Sequence, residues 1–160
     1  MRIKKTARKI DRIILHCTAT PEGREVDVAE ITRWHKNRGF ATIGYHYLVK
    51  LDGTIENGRS IHESGAHTKG YNRTSIGIAY VGGIDDSKKP KDTRNAEQLM
   101  ALANLLDVLM QMYPKATLHG HNEFAGKACP SFDVQKEYDF LINPEKFIVE
   151  TKKEEQEDEE

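Results

Sequence analysis

The chain has 160 residues, enough to bury a hydrophobic core in a single domain without disulfides. Its formal net charge of −1 at pH 7 gives no general attraction to nucleic acid or to an anionic membrane. The sequence holds neither the apolar core of a signal peptide nor a run long enough to span a bilayer, and its two cysteines make no disulfide framework. We therefore expect a protein made in the cytoplasm, with no nucleic-acid or membrane partner. Lacking an obvious second interface, it should be a monomer.

The two ends of the chain carry opposite charge. Six of the first twelve residues are basic, whereas seven acidic residues and two lysines stand between Glu150 and Glu160. Such charge runs are typical of solvated, poorly ordered ends, with binding to a partner as the alternative. We accordingly predict a basic extension over residues 1–11, a folded domain over 12–142 and an acidic, disordered tail over 143–160.

The first half of the domain shows strand and helix patterns in turn. The apolar run over 12–18 predicts a strand that is buried on both faces. Asp27 is a good N-cap for a helix that ends at Arg38 before a glycine. Asp-Gly between two further apolar segments predicts a hairpin of strands over 43–50 and 54–57.

The second half opens with a long loop over 58–72, and loops of that length inside a domain are usually functional. After it we predict a strand over 75–81, a long helix capped by Thr93 or Asp92 and running to Tyr113, a strand over 116–119 and a closing helix over 133–141. The long helix has apolar residues on more than one side, Met100 and Val108 among them, which predicts burial on more than one side. Interleaved strands and helices indicate a single α/β domain with a central mixed sheet of about five strands flanked by helices.

The segment 119–132 concentrates reactive side chains in a short stretch rich in turn residues. It contains His121, Lys127 and Cys129, and imidazole and thiolate are ligands that zinc prefers. A third ligand is available in His16, near the carboxyl end of the first predicted strand. Three protein ligands leave one coordination position open, as catalytic zinc sites require. The alternative is that each histidine is a hydrogen-bonded structural residue.

The neighbour of His16 is not expected to join this site. Side chains alternate along a strand, so Cys17 points to the opposite face from His16. A small buried hydrophobic role suits Cys17 better than metal binding. A closed, cysteine-rich structural zinc site is therefore not expected.

Five blocks along the chain, taken together, resemble a known family. They are Leu15–Thr20, Gly44–Tyr47, Ser64–Asn72 with Ser75–Ile78, Gly120–Glu123 and Lys127–Pro130. In this order they resemble the zinc-dependent N-acetylmuramoyl-L-alanine amidases of the phage lysozyme type, whose fold is shared by the peptidoglycan recognition proteins. The resemblance extends from about Arg12 to Tyr138.

The resemblance implies a site and a reaction. By this resemblance, the zinc ligands of the family fall on His16, His121 and Cys129. The catalytic pair of the family falls on Tyr45 and Lys127. Zinc lowers the pKa of bound water and polarises the scissile carbonyl, while Tyr45 and Lys127 offer hydrogen-bond donors to the developing oxyanion. The bland alternatives are an ordinary strand tyrosine and a solvated loop lysine.

The same resemblance implies a peptidoglycan or muropeptide substrate, cut at the amide between the lactyl group of N-acetylmuramic acid and L-alanine. An endolysin-like enzyme would meet the cell wall after lysis or signal-independent release. We also predict that His67, in the glycine-rich loop, contacts substrate in the groove. A cytosolic amidase that recycles muropeptides and a non-catalytic peptidoglycan-binding module are the alternatives. The presence of Cys129 and Lys127 favours an enzyme over a binding module. Cys129 also argues against the recycling branch, which tends to use a carboxylate at that position.

Overall fold

A five-stranded mixed sheet forms the centre of the molecule, seen in a computed structural model that describes residues 2–146. The strands are β1 (Arg12–Cys17), β2 (Thr20–Pro21), β3 (Tyr47–Val49), β4 (Ile55–Asn57), β5 (Ser75–Tyr80), β6 (Gly83–Ile84) and β7 (Thr117–Gly120). The sheet order is β4-β3-β5-β1-β7, with β4 antiparallel to β3 and the other pairs parallel. Strands β2 and β6 form a separate parallel pair. The predicted α/β fold with a mixed sheet of five strands is confirmed.

The helices pack on both faces of this sheet. They are α1 (Val28–Asn37), α2 (Ala96–Met112), α3 (Val134–Glu137) and α4 (Asp139–Ile142), with short 3₁₀ turns at Asn72–Thr74 and His121–Glu123. One apolar cluster includes Ile13 and Leu15 of β1 together with Leu106 of α2. A second cluster on the opposite face joins Ile31 of α1 to Leu48 of β3. None of the helices within residues 2–146 combines the length and apolar character needed to cross a membrane.

Strand β5 has a different character on each face. Its large residues Ile76, Ile78 and Tyr80 belong to the cluster that includes α2. The alternating positions Ser75, Gly77 and Ala79 are small and face the α1 side, where their size leaves room for side chains from the preceding loop.

The N-cap of α1 is the predicted one, but the cap of α2 is not. Asp27 accepts a hydrogen bond from the Glu30 amide at 2.8 Å. Helix α2 begins after Asn95, which forms a capping box with Gln98. The two predicted caps are engaged elsewhere: Thr93 Oγ1 accepts from the Gly83 amide at 2.8 Å, and Asp92 pairs with the Arg94 guanidinium.

Three other expectations about the elements were wrong in detail. The strand predicted to start at residue 43 begins only at Tyr47, because the Gly44 amide donates to His35 Nδ1 instead of a neighbouring strand. The closing helix is split at Tyr138 into α3 and α4. Met100 and Val108 are 69% and 41% exposed, so α2 is less enclosed than its apolar residues indicated.

The basic start is packed against the domain. The Thr6 amide donates to the Tyr113 hydroxyl at 3.0 Å, and Ile10 is buried. The Arg8 guanidinium donates to the carbonyl oxygens of Ile61 and Ser75 at 2.9 and 3.0 Å. The charge run predicted a solvated start. Instead, Arg8 is part-buried and Ile10 is buried, because both contact residues that are distant in sequence. Most of the predicted acidic tail, residues 147–160, lies outside the described part of the chain.

Candidate metal centre and active site

The sheet topology brings His16 and His121 together. Strands β1 and β7 are parallel, and Leu15 is in register with Gly120. His16 follows Leu15 within β1, and His121 follows Gly120 directly after the end of β7, so both histidines lie at the same carboxyl edge of the sheet. Their ring centroids lie 4.6 Å apart.

A folded loop delivers the third ligand. The Asn122 amide donates to the Cys129 carbonyl at 2.8 Å, and the Tyr80 hydroxyl donates to the Pro130 carbonyl at 2.7 Å. These bonds place Cys129 Sγ 3.7 Å from His16 Nδ1 and 3.2 Å from the amide nitrogen of Cys17. The loop thus closes the eight-residue separation between His121 and Cys129.

The donor set fits a zinc ion. The ligand atoms of His16, His121 and Cys129 all lie within 4.8 Å of one another, and they are two imidazole nitrogens and one sulfur. Cys17, as predicted, is buried in the apolar cluster on the α2 side. Three protein ligands leave a coordination position for water or substrate, the pattern of catalytic zinc rather than structural zinc.

Burial keeps the imidazoles in the neutral form that binds metal. It lowers the pKa of His16 well below its usual range, with His67 and His121 adding to the effect. Burial, followed by the positive charge of Lys127, also lowers the pKa of His121. In the metal-free protein the Cys17 thiol, and then burial, raise the pKa of Cys129. A coordinated divalent cation reverses that last effect by stabilising the thiolate.

The predicted catalytic residues border this cluster. The Tyr45 ring lies 5.2 Å from the His16 ring and 5.3 Å from that of His35 in α1. Burial, followed by the nearby Cys129, raises the pKa of Tyr45, so its hydroxyl stays protonated and able to donate at neutral pH. Lys127 is exposed on the loop of residues 119–132 (the motif loop), two residues before Cys129. Its positive charge contributes to lowering the pKa of both His16 and His121.

His67 occupies a place that the sequence did not predict. Its Nδ1 lies 2.8 Å from His16 Nε2, and its Nε2 lies 3.2 Å from Ser75 Oγ. Thr68 Oγ1 lies 2.9 Å from the same Nδ1. The ring therefore lies directly against His16, a candidate metal ligand. The sequence signal for this arrangement is the small-residue face of β5, which leaves space for a side chain.

Other polar residues near the site hold its loops. His46 Nδ1 accepts a hydrogen bond from the Gly77 amide at 3.1 Å, which ties the segment before β3 to β5. The Glu123 carboxylate accepts from the Gly120 amide and interacts with His119 and Gln135 at 2.8 and 3.1 Å. Glu123 thus stabilises the motif loop through contacts within the loop and with α3.

Comparison with known proteins agrees with this geometry. The family described as N-acetylmuramoyl-L-alanine amidase matches residues 6–132. The endolysin of Escherichia phage T7 is 45% identical over 132 residues, covering 82% of this chain and 87% of that protein. The N-acetylmuramoyl-L-alanine amidase LysC from Clostridium intestinale URNW superimposes with a TM-score of 0.72 at 28% identity, covering 84% and 85% of the two chains.

A third relative comes from an animal. A peptidoglycan-recognition protein of Drosophila simulans is 31% identical over 137 residues, covering 81% of this chain and 72% of that protein. The chain therefore belongs to the N-acetylmuramoyl-L-alanine amidase family. The resemblance drawn from the five sequence blocks is confirmed, as is the shared fold with the recognition proteins.

Proposed function

We propose that this protein is a zinc-dependent, endolysin-like amidase that hydrolyses the amide between the lactyl group of N-acetylmuramic acid and L-alanine in peptidoglycan. The observation that carries the proposal is the cluster of His16, His121 and Cys129 beside Tyr45, in a chain of the amidase family. An amide is a poor electrophile, so its hydrolysis at neutral pH needs an activated nucleophile and stabilisation of the developing oxyanion.

Each residue has a defined part in this proposal. His16, His121 and Cys129 hold zinc, which supplies an activated water and polarises the scissile carbonyl. The protonated hydroxyl of Tyr45 donates a hydrogen bond to the developing oxyanion. The ammonium group of Lys127 donates a second hydrogen bond from the motif loop. Preorganised donors of this kind are typically worth about 3 kcal/mol each. The His16 side chain is itself shielded from solvent.

The partner of this site is peptidoglycan, and the protein is expected to act as a monomer. Phage endolysins among its relatives favour cell-wall lysis over recycling of soluble muropeptides. The enzyme would then meet the wall after lysis or signal-independent release. Rates on intact sacculi and on soluble anhydro-muropeptides separate the lytic role from recycling.

Variants of the two loop residues test the assignment. Cys129→Ala should lose zinc and activity, whereas Lys127→Ala should keep zinc and lose turnover. Cys17→Ala is the matched thiol control, because the variant keeps the Cys17 backbone amide that donates to Cys129 Sγ, and it should keep one zinc per chain. An active, metal-free Cys129→Ala protein would contradict the mechanism.

A non-catalytic binding module is the second candidate, favoured by the similarity to a peptidoglycan-recognition protein. It requires saturable muropeptide binding with no product from fully zinc-loaded protein. Isothermal titration with a muropeptide, followed by mass spectrometry of the same sample, distinguishes binding alone from cleavage.

A further inference from the structure

The imidazole of His67 is part of a hydrogen-bond chain that begins at the candidate metal ligand His16. We propose that His67 is a positioning residue, which orients His16 and fixes its tautomer so that Nδ1 faces the metal. This inference rests on the proposed metal site and replaces the substrate-contacting role that the sequence predicted for His67. It assigns the residue to zinc affinity rather than to substrate affinity.

The two nitrogens of His16 point in different directions. Nδ1 lies 3.7 Å from Cys129 Sγ and so faces the other ligands. Nε2 lies 2.8 Å from His67 Nδ1 and 3.3 Å from Thr68 Oγ1, on the side away from the cysteine. A neutral imidazole that binds metal through Nδ1 carries its proton on Nε2. His67 Nδ1 is placed to accept a hydrogen bond from that N–H.

The proton arrangement continues consistently beyond His16. If His67 Nδ1 accepts from His16, its own proton lies on Nε2, which is 3.2 Å from Ser75 Oγ. One N–H on each ring thus points along the same direction, from His16 through His67 to Ser75. Histidine ligands of metals usually donate their second N–H to a partner that sets ring orientation, and an imidazole serves that purpose here.

Gly77 and Gly65 leave a slot that the His67 ring fills. A Cβ atom added at Gly77 would lie 2.5, 2.6 and 2.7 Å from three atoms of this ring. A Cβ added at Gly65 would lie 2.5 Å from its Cδ2. Gly77 therefore leaves room for the face of the ring and Gly65 for its Cδ2 edge, and a side chain at either position would collide with the ring. Asn72 Oδ1 accepts from the His67 and Thr68 amides at 3.0 and 2.9 Å, which also fixes the backbone that carries the ring.

A positioning role and a groove role predict different effects of removing the ring. Loss of a positioning partner lets the His16 ring rotate or change tautomer, which weakens metal binding. Loss of a groove contact raises KM for substrate and leaves metal binding unchanged. Zinc affinity, measured without substrate, therefore separates the two roles.

The experiment compares His67→Ala and His67→Asn with the wild-type protein and with His62→Ala as a control on an exposed histidine of the same loop. Zinc dissociation constants are measured by competition with a chromogenic chelator, and KM is measured at saturating zinc. His67→Ala should weaken zinc binding by about 10- to 100-fold with KM unchanged. His67→Asn should recover most of the affinity, since its Oδ1 stands close to the position of the lost Nδ1. His62→Ala should bind zinc as tightly as wild type.

Unchanged zinc affinity in a folded His67→Ala protein would overturn the proposal. A raised KM of that variant would then restore the groove role. The comparison of zinc affinities does not depend on the proposed amidase activity. A wild-type protein that binds zinc but releases no product would refute the amidase function and leave the affinity test intact. A wild-type protein that binds no zinc would refute both.

Discussion

Gly77 in β5 is the position at which a single methyl group should disturb both the fold and the metal centre. In Gly77→Ala the new Cβ would lie 2.5–2.7 Å from three atoms of the His67 ring, where carbon atoms normally approach to about 3.5–4.0 Å. The ring has little room to shift, because Gly65 already lies close to its Cδ2 atom, where an added Cβ would stand at 2.5 Å. The His67 side chain must leave, and its hydrogen bond to His16 is lost with it.

The free energy of unfolding should fall by about 2–4 kcal/mol. Overpacking of a rigid interior typically costs about 1–3 kcal/mol. The lost hydrogen bond adds about 1 kcal/mol. With a urea m-value of about 2 kcal/mol/M, the unfolding midpoint of the zinc-free protein should drop by roughly 1–2 M. Gly126→Ala is the matched control, because no atom lies within 4 Å of the added methyl, and its midpoint should stay near wild type.

A double-mutant cycle isolates the clash itself. In a His67→Ala background the slot is empty, so Gly77→Ala should cost close to nothing, giving a coupling free energy of at least about 1 kcal/mol. An equal loss of stability in both backgrounds would refute the packing argument. So would a Gly77→Ala protein with the midpoint of wild type.

Three further predictions concern the core, the pH dependence and the active site. Leu106→Ala, at a fully buried position of α2, should lower the free energy of unfolding by about 2–5 kcal/mol, while Met100→Ala, 69% exposed, should change it by less than about 0.5 kcal/mol in urea titrations. Burial lowers the pKa of His46 to about 4, so as pH falls from 6.5 towards 4 the unfolded chain takes up a proton that the native state does not. The free energy of unfolding of the metal-free protein should therefore fall across that pH window, by about 3 kcal/mol for this residue. His46→Gln should flatten the dependence of this free energy on pH, and an unchanged dependence would count against the role given to His46. Tyr45→Phe should keep its zinc yet lower kcat by roughly 10²- to 10³-fold, and an unaltered kcat would remove Tyr45 from the mechanism.

Local sequence patterns carried much of the fold and the grouping of the site. The apolar run of β1 placed His16 near a strand end, and alternation put Cys17 on the other face, where it is buried. Asp27 had the side chain and position of an N-cap, and it caps α1. Parallel strands end at one edge of a sheet, so His16 and His121 could be expected to meet.

Features that depend on contacts distant in sequence were not predictable in the same way. Thr93 is a good cap by type, but its hydroxyl is taken by Gly83, and α2 starts after Asn95. The N-terminal segment docks because Thr6 meets Tyr113, which is 107 residues away.

His67 shows the same dependence inside the site. A glycine-rich loop with an imidazole is typical of a binding groove when it is considered alone. The loop pattern did not reveal that the ring packs on Gly77 and meets His16, because those contacts depend on the small residues of β5.

The proposed function is tested most directly by digesting purified peptidoglycan with the zinc-loaded protein, with and without a chelator, and reading the products by mass spectrometry. Our account predicts chelator-sensitive release of stem peptides with a free L-alanine amine and no new reducing sugar ends. New reducing ends would mean a glycosidase and a different site. Intact peptidoglycan after incubation with zinc-loaded protein would contradict catalysis and favour a recognition module.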